Sequence, residues 1–204
     1  MQTAYLFLFS PDWFEQGINP HAELMVFLGS NMITITKATE HGVKALSKKL
    51  LKLLEDTNSQ LYQDNVAKFG IPEAYVKQVF SEETIRKAVE SGKSAIYLAL
   101  ENGCRILGFA QTVRHDESIV ELDRIVVFPE HTRKGIGTRL LARVLKDGRR
   151  RGIDMIIVNA GKEETHARSF YEKNGFKPVK ESTIDTPWGN KLTLVTYQFE
   201  LKSH

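Results

Sequence analysis

ELDRIVVFPEHTRKGIGTRLL, residues 121–141, decides how the rest of this 204-residue chain is read. Its first part, 121–128, has the β-branched and apolar character of a strand, and Pro129 opens a tight connection. Ile136, Leu140, Leu141 and Val144 then take up helical spacing, so a helix begins around Gly137. A strand that turns straight into a helix leaves the first helical N–H groups, which have no intrahelical partners, at the mouth of the turn. Gly135 and Gly137 let the backbone pass close to a ligand and reach dihedrals closed to residues with a Cβ. Those donors, with the positive end of the helix dipole, suit an anion such as a phosphate. A glycine pair before a helix also marks many plain tight turns, so the surrounding chain has to discriminate.

Upstream lie three strand-like runs, 94–100, 105–114 and 119–128. Glu101-Asn102-Gly103 and His115-Asp116-Glu117-Ser118 separate them, turn chemistry that makes an antiparallel meander. Downstream, the helix from Gly137 runs to about Arg150 and Gly152 ends it. The apolar strand 154–160 follows, and the strand–helix–strand order makes it parallel to the third run. A second helix, 165–174, is stopped by Gly175 as a left-handed cap. Runs 176–181 and 192–201 close the sheet through Pro187-Trp188-Gly189-Asn190.

Before the meander, ITITKA after Met32 alternates as a strand. Residues 41–56 form a helix with Val43, Leu46, Leu50, Leu53 and Leu54 on one face. The stretch 58–70 is polar and loosely helical, and Ser81 is the N-cap of another helix. Residues 1–31, with Pro11, Trp13, Phe14, Gly17 and Pro20 in no sustained period, stand apart. They are either an accessory N-terminal extension or lie ahead of a true start at Met25 or Met32, and 32–204 is a single domain. The fold class is α/β (α+β): a mixed central sheet of about six or seven strands, an antiparallel N-terminal meander, one parallel pair and flanking helices.

With 42% hydrophobic and 26% charged residues the chain is an ordinary globular protein, not a disordered one. A formal charge of +3 is mild and says little about nucleic acid, whose binders usually concentrate basic residues more heavily, and it is compatible with a small polyanion. Cys104 is the only cysteine, which rules out an intrachain disulfide. Beside the apolar run 106–109 it reads as a buried structural thiol rather than a nucleophile. No apolar run is long enough to span a bilayer, and 4–9 is too short and lacks the basic flank of a signal peptide. A cytoplasmic protein with no membrane partner is expected. The histidines show no metal-ligand spacing, so no metal site is expected.

Thr132-Arg133-Lys134-Gly135-Ile136-Gly137 resembles the acetyl-CoA-binding motif of the GNAT superfamily of N-acyltransferases. That motif is Gln or Arg, two residues, Gly, any residue, then Gly or Ala; Thr132 stands at its first position. About 34 residues beyond the turn, ARSFYEKNGF (167–176) resembles the second signature of the same family, a helix with a Tyr followed by a Gly-Phe step into a strand. Both occur in the family's order on the expected elements. The third glycine of a dinucleotide fingerprint is replaced by Leu140, which argues against that alternative.

The resemblance implies a GNAT-like fold with acetyl-CoA as co-substrate, entering where the two parallel strands splay apart. Its pantetheine arm would run along Ile125, Val126 and Val127, with an N–H near Val126 polarising the thioester oxygen. Its pyrophosphate would meet the N–H groups of Arg133, Lys134, Gly135, Ile136, Gly137 and Thr138, and the Thr138 hydroxyl. Glu121 falls where some family members carry a glutamate base. Period-two alternation puts Asp123 on the same face as a second choice. The alternative for both is that they solvate the start of a strand or pair with Arg124 or Arg114. Tyr171 matches the family's proton donor to the leaving thiolate, against aromatic packing with Phe170 and Phe176.

The activity implied is N-acetyl transfer to a primary amine, a small molecule such as a polyamine or a peptide amine, by direct attack in a ternary complex. The rival is a silent acyl-CoA sensor or interaction subunit of the same fold. Glu73, Glu82, Glu83 and Asp185 are the acidic residues on hand for a cationic acceptor. Arg139, Arg143, Lys146 and Arg150 form a solvated helix face, with Arg139 the one nearest a cofactor phosphate. His166 lies near the cofactor by position or on the surface. A homodimer through the last strands is compatible with the family.

Overall fold

The computed structural model describes residues 32–201; the extension expected over 1–31, with the alternative start at Met25, lies outside them. Strands β1 (Ile33–Lys37), β2 (Ser94–Glu101), β3 (Arg105–Arg114), β4 (Ile119–Val127), β5 (Met155–Gly161), β6 (Lys177–Asp185) and β7 (Lys191–Glu200) form one sheet in the order β1-β2-β3-β4-β5-β7-β6. Every neighbouring pair is antiparallel except β4 and β5. The expected mixed sheet with one parallel pair is therefore present.

The helices are α1 (Glu40–Glu55), α2 (Gln60–Tyr62), α3 (Glu73–Val79), α4 (Glu82–Glu90), α5 (Ile136–Arg150) and α6 (Thr165–Lys173). Thr39 caps α1 by accepting the Gly42 N–H, and Ser81 caps α4 on Thr84 as expected. Gly175, at φ +87°, ends α6 in the left-handed cap read from the sequence. The loosely helical stretch after α1 is α2 running into a π-helical turn over Gln63–Ala67, started by Ser59 on the Tyr62 N–H. Helix α5 begins one residue early, at Ile136, because Gly135 at φ +69° serves as its N-cap.

Apolar side chains fill both faces of the sheet. Ile125 and Val127 of β4 pack with Ile136, Leu140, Leu141 and Val144 of α5 and with Ala167 and Tyr171 of α6. On the other face Val43, Leu46 and Leu50 of α1 join Val76, Phe80, Ile85 and Phe128. Burying one such Leu contributes about 2 kcal/mol, so α1 is held by its apolar stripe more than by its own propensity.

Two expectations are corrected. Cys104 is exposed, because Asn102 and Gly103 at positive φ turn the chain between β2 and β3 and carry the thiol outward. The basic stripe of α5 is not simply solvated: Arg139 Nη2 donates to the Ile33 carbonyl at 2.6 Å and Arg143 Nη1 to that of Ile35 at 3.0 Å. Their guanidinium groups satisfy carbonyls on the outer edge of β1, where no further strand among the described residues supplies N–H groups. Of the acids on hand for a cationic acceptor, Glu73, Glu83 and Asp185 pair with Lys77, Lys87 and Lys191. Among the described residues no helix is long and apolar enough to cross a membrane, and no His, Cys, Asp and Glu cluster is arranged to hold a metal ion.

Candidate active site

The parallel pair of β4 and β5 is joined only over Ile119, Val120 and Glu121, opposite Met155, Ile156 and Ile157. Residues 122–127 and 158–161 run on without pairing to one another, although each strand stays bonded to its outer neighbour. The divergence has a local cause. Gln111 pairs with Arg124 and Thr112 with Leu122, so Asp123 is an extra residue, a β-bulge that twists β4 away from β5. Backbone groups along the inner edge of β4 are thereby freed to bind a ligand.

The edge leads to the glycine turn. His131 and Thr132 close a 3₁₀ turn on Phe128 and Pro129. Arg133 at φ +58° and Gly135 at φ +69° then make two left-handed steps before α5. Such alternation turns successive N–H groups toward one point. Among the described residues, the amides of Arg133, Lys134, Gly135, Ile136, Gly137 and Thr138 meet no backbone or side-chain acceptor. The donors assigned to a pyrophosphate from sequence are thus available. His131 lies beneath them at 3% exposure, its ring basicity pushed below the usual value first by burial and further by Arg105, Lys49 and Lys134, with Glu130 opposing.

A cavity of ≈ 200 Å³ joins these parts. Ile125, Val126, Val127 and Gly137 line one wall with Phe170, and Leu53, Gln60 and Asp64 line the facing wall. The expected pantetheine residues are therefore brought together on one surface. The cavity is mostly apolar, the usual character of a ligand site.

Tyr171 is 1% exposed and packs against Phe170, Phe176 and Tyr197 at ring separations of 5.5, 5.6 and 6.0 Å. It shares its cluster with Ile125, Val158 and Ala160, residues of both strands beyond the point of divergence. Burial, then the charges of Glu164 and Asp123, hold its phenol well above the usual value, so it keeps its proton at neutral pH.

The two candidate bases have different surroundings. The Glu121 carboxylate lies 2.6 Å from His115 Nε2 and accepts the Asn159 Nδ2 amide at 2.9 Å; Asn159 in turn accepts the Thr196 hydroxyl at 2.6 Å. Asp123 makes a buried ion pair with Arg124, at 2.7 and 2.8 Å to its guanidinium nitrogens. The bulge at Asp123 interrupts the alternation that put both residues on one face, and Glu121 pairs with neither Arg124 nor Arg114. Arg124 also lies over the Phe80 ring, and both Arg124 and Asp123 act on Tyr75, whose phenol burial pushes up.

Two buried carboxyls near the cavity and near Tyr171 were not singled out from the sequence. Asp64, on the π-helical turn, is 9% exposed, and Glu164, preceding α6, is 6% exposed. Burial raises both above the usual carboxylate range, with Gln60 and Lys68 opposing at Asp64 and with Gly161 and Lys68 opposing at Glu164. Their motif-free neighbourhoods, Gln63-Asp64-Asn65 and Glu163-Glu164-Thr165, give no sign of it. His166 is exposed.

A profile of the acetyltransferase (GNAT) family matches residues 58–176. Spermidine N(1)-acetyltransferase of Thermoplasma acidophilum is 28% identical over 121 residues, 59% of this chain and 73% of that protein. A GNAT-family acetyltransferase from Staphylococcus aureus Mu50 superposes with a TM-score of 0.63 at 22% identity, over 84% of this chain and 100% of that one. One from Elizabethkingia anophelis with acetyl-CoA bound gives 0.52 at 19% identity, over 82% and 97%. The splayed strands, the amide-rich turn and a family match covering more than half of the residues agree: the chain belongs to the acetyltransferase (GNAT) family and is an acyl-CoA-dependent acetyltransferase.

Proposed function

We propose that the protein transfers the acetyl group of acetyl-CoA to a primary amine, of a small molecule such as a polyamine or of a peptide, by direct attack within a ternary complex. The observation that carries this reading is the unpaired inner edge of β4, residues 122–127, which opens on a cavity ending at the free amides of the glycine turn. A relative at 28% identity bears the name of a spermidine acetyltransferase, which is in keeping with an amine acceptor.

Acetyl-CoA supplies an activated acyl group as a thioester. Arg133, Lys134, Gly135, Ile136, Gly137 and Thr138 hold the pyrophosphate through their N–H groups, with the Thr138 hydroxyl beside them. Ile125, Val126 and Val127 receive the pantetheine arm as a surrogate strand, and an N–H near Val126 polarises the carbonyl oxygen. An amine must be neutral to attack, so its ammonium proton passes to Glu121, or to Asp123 as the second choice, through water. The amine nitrogen bonds to the carbonyl carbon, the carbon–sulfur bond breaks, and Tyr171 gives its proton to the departing thiolate. The raised value keeps the phenol protonated at neutral pH, so the proton is on hand when the thiolate departs.

Release of free thiol from acetyl-CoA, measured across polyamines, aminoglycosides, amino acids and peptide amines, tests the proposal. Turnover on at least one amine is expected. Tight binding of the thioester with no turnover on any of them would instead mark a silent acyl-CoA sensor.

A further inference from the structure

The wall of the cavity facing β4 is short of positive charge. Asp64 Oδ1 accepts the Gln60 Nε2 amide at 2.8 Å, while its other oxygen has no hydrogen-bond donor among the described residues. Asp64 is nine-tenths buried and lines the same cavity as Ile125 and Val126. Glu164 accepts the Gly161 N–H at 3.0 Å, and the Lys68 ammonium stands 3.8 Å from its other oxygen, beyond hydrogen-bond reach. No Lys, Arg or His lines the cavity; Glu164 is outside its lining but close enough for the charge of Asp64 to act on it, and the two buried carboxyls share one lysine whose side chain is 46% exposed.

A separate observation points the same way. Asn65, next to Asp64 on the π-helical turn and fully buried, gives its amide N–H to Leu61 and leaves Oδ1 with no partner. Buried acceptors lacking donors are uncommon in folded proteins, and π-helical turns recur at functional sites. On this turn Asp64 and Asn65 each leave one oxygen without a donor among the described residues, Asp64 on the cavity lining and Asn65 behind it, while Lys68 at the end of the turn is the cation that acts on Asp64. An alkyl ammonium brings three donors and one charge, and its methylene chain suits the apolar walls.

We infer that Asp64, backed by Glu164, binds the second ammonium of a diamine or polyamine acceptor, holding the far end of the molecule while its other amine faces the β4 edge at Ile125 and Val126. This rests on the acetyl transfer proposed above and adds to it a residue that selects the acceptor by charge.

The test compares 1,4-diaminobutane with butylamine, which share chain length and differ in one charge. The parent enzyme is expected to favour the diamine by roughly tenfold or more in kcat/KM, the scale of one charge-assisted hydrogen bond. In Asp64→Asn, which keeps the Gln60 contact, that ratio falls toward one through the KM of the diamine. Glu164→Gln lowers it in the same direction, and circular dichroism checks both folds. A parent without preference, or an Asp64→Asn ratio equal to the parent's, overturns the inference while acetyl transfer stands. Weakened acetyl-CoA binding with the ratio retained also overturns it, assigning Asp64 to the pantetheine arm. If thioester binds and no amine of any kind is acetylated, the transfer reading itself fails. Calorimetry of 1,4-diaminobutane on the CoA-bound protein then decides for the subsite, since absence of heat removes it too.

Discussion

At the scale of single residues, burial decides what each ionisable group does. Tyr171 is enclosed by aromatic rings and lies in the fields of Glu164 and Asp123, all of which favour the neutral phenol. Tyr171→Phe keeps the ring and loses the donor. We expect turnover to fall by roughly ten- to thousandfold with CoA affinity little changed, read from kcat and from calorimetry; unchanged turnover removes the phenol from the reaction. Glu164 gives a second expectation. Its carboxyl is held above the ordinary value of 4.5, so between that value and its folded one the native state binds more protons than the unfolded state. Stability therefore falls as pH rises through this window. Glu164→Gln should match the parent near pH 4 and exceed it by about 1 kcal/mol at pH 8, the low end for removing a poorly compensated buried charge. Urea unfolding at both pH values checks this, and a constant difference contradicts it. The place of Tyr171 on α6 ahead of the next strand was legible in the sequence because a helix and a Gly-Phe step flank it. Asp64 and Glu164 were not, since a carboxylate in a polar stretch reads as solvated until tertiary packing encloses it.

At the scale of elements, the glycine turn was legible almost whole, because strand, proline, glycines and helix periodicity are all local. What escaped was the conformation of Arg133, a side chain in the left-handed region where glycine is the easier residue. The bulge at Asp123 also escaped, being a property of the pairing of β3 with β4 and not of either strand alone. Arg139 and Arg143 were misread for the same reason: their acceptors on β1 lie about a hundred residues away in the chain. Two glycine variants separate backbone strain from occupancy of the site. A Cβ at Gly135 would meet nothing within 4 Å, so Gly135→Ala introduces only the left-handed penalty, about 1–2 kcal/mol of stability. Gly137 lines the cavity itself. Gly137→Val should weaken CoA binding at least about a hundredfold by calorimetry while the circular dichroism spectrum stays that of the parent, because a branched side chain there occupies the ligand's space. Retained affinity in Gly137→Val would contradict the phosphate-loop assignment.

At the scale of the whole molecule, two cores pack on opposite faces of the sheet, β4 and β5 part beyond Glu121, and distant parts of the chain are brought into contact. The β6–β7 turn and the α2–α3 connection are more than a hundred residues apart, yet they are tied together. Trp188 Nε1 donates to the Phe69 carbonyl at 3.2 Å, Asn190 Nδ2 donates to the same oxygen at 3.3 Å, and the Trp188 ring lies 5.9 Å from that of Tyr75. The turn was expected from Pro187-Trp188-Gly189-Asn190, but not its partner, because no local pattern encodes a contact across the sheet. This tie anchors the segment bearing Asp64 and Lys68 from its far side. Trp188→Ala removes the ring contact and one of the two donors, and leaves the strands of the sheet as they are. Amide exchange should accelerate about tenfold over residues 63–75, equivalent to roughly 1.4 kcal/mol of local stability, with the amides of β4 and β5 unaffected. Because the proposed cofactor edge lies on β4 and the proposed acceptor wall on the π-helical turn, the same variant should raise the KM for the amine and leave acetyl-CoA affinity near that of the parent. Equal acceleration in β4 would show instead that the hairpin tip supports the sheet as a whole.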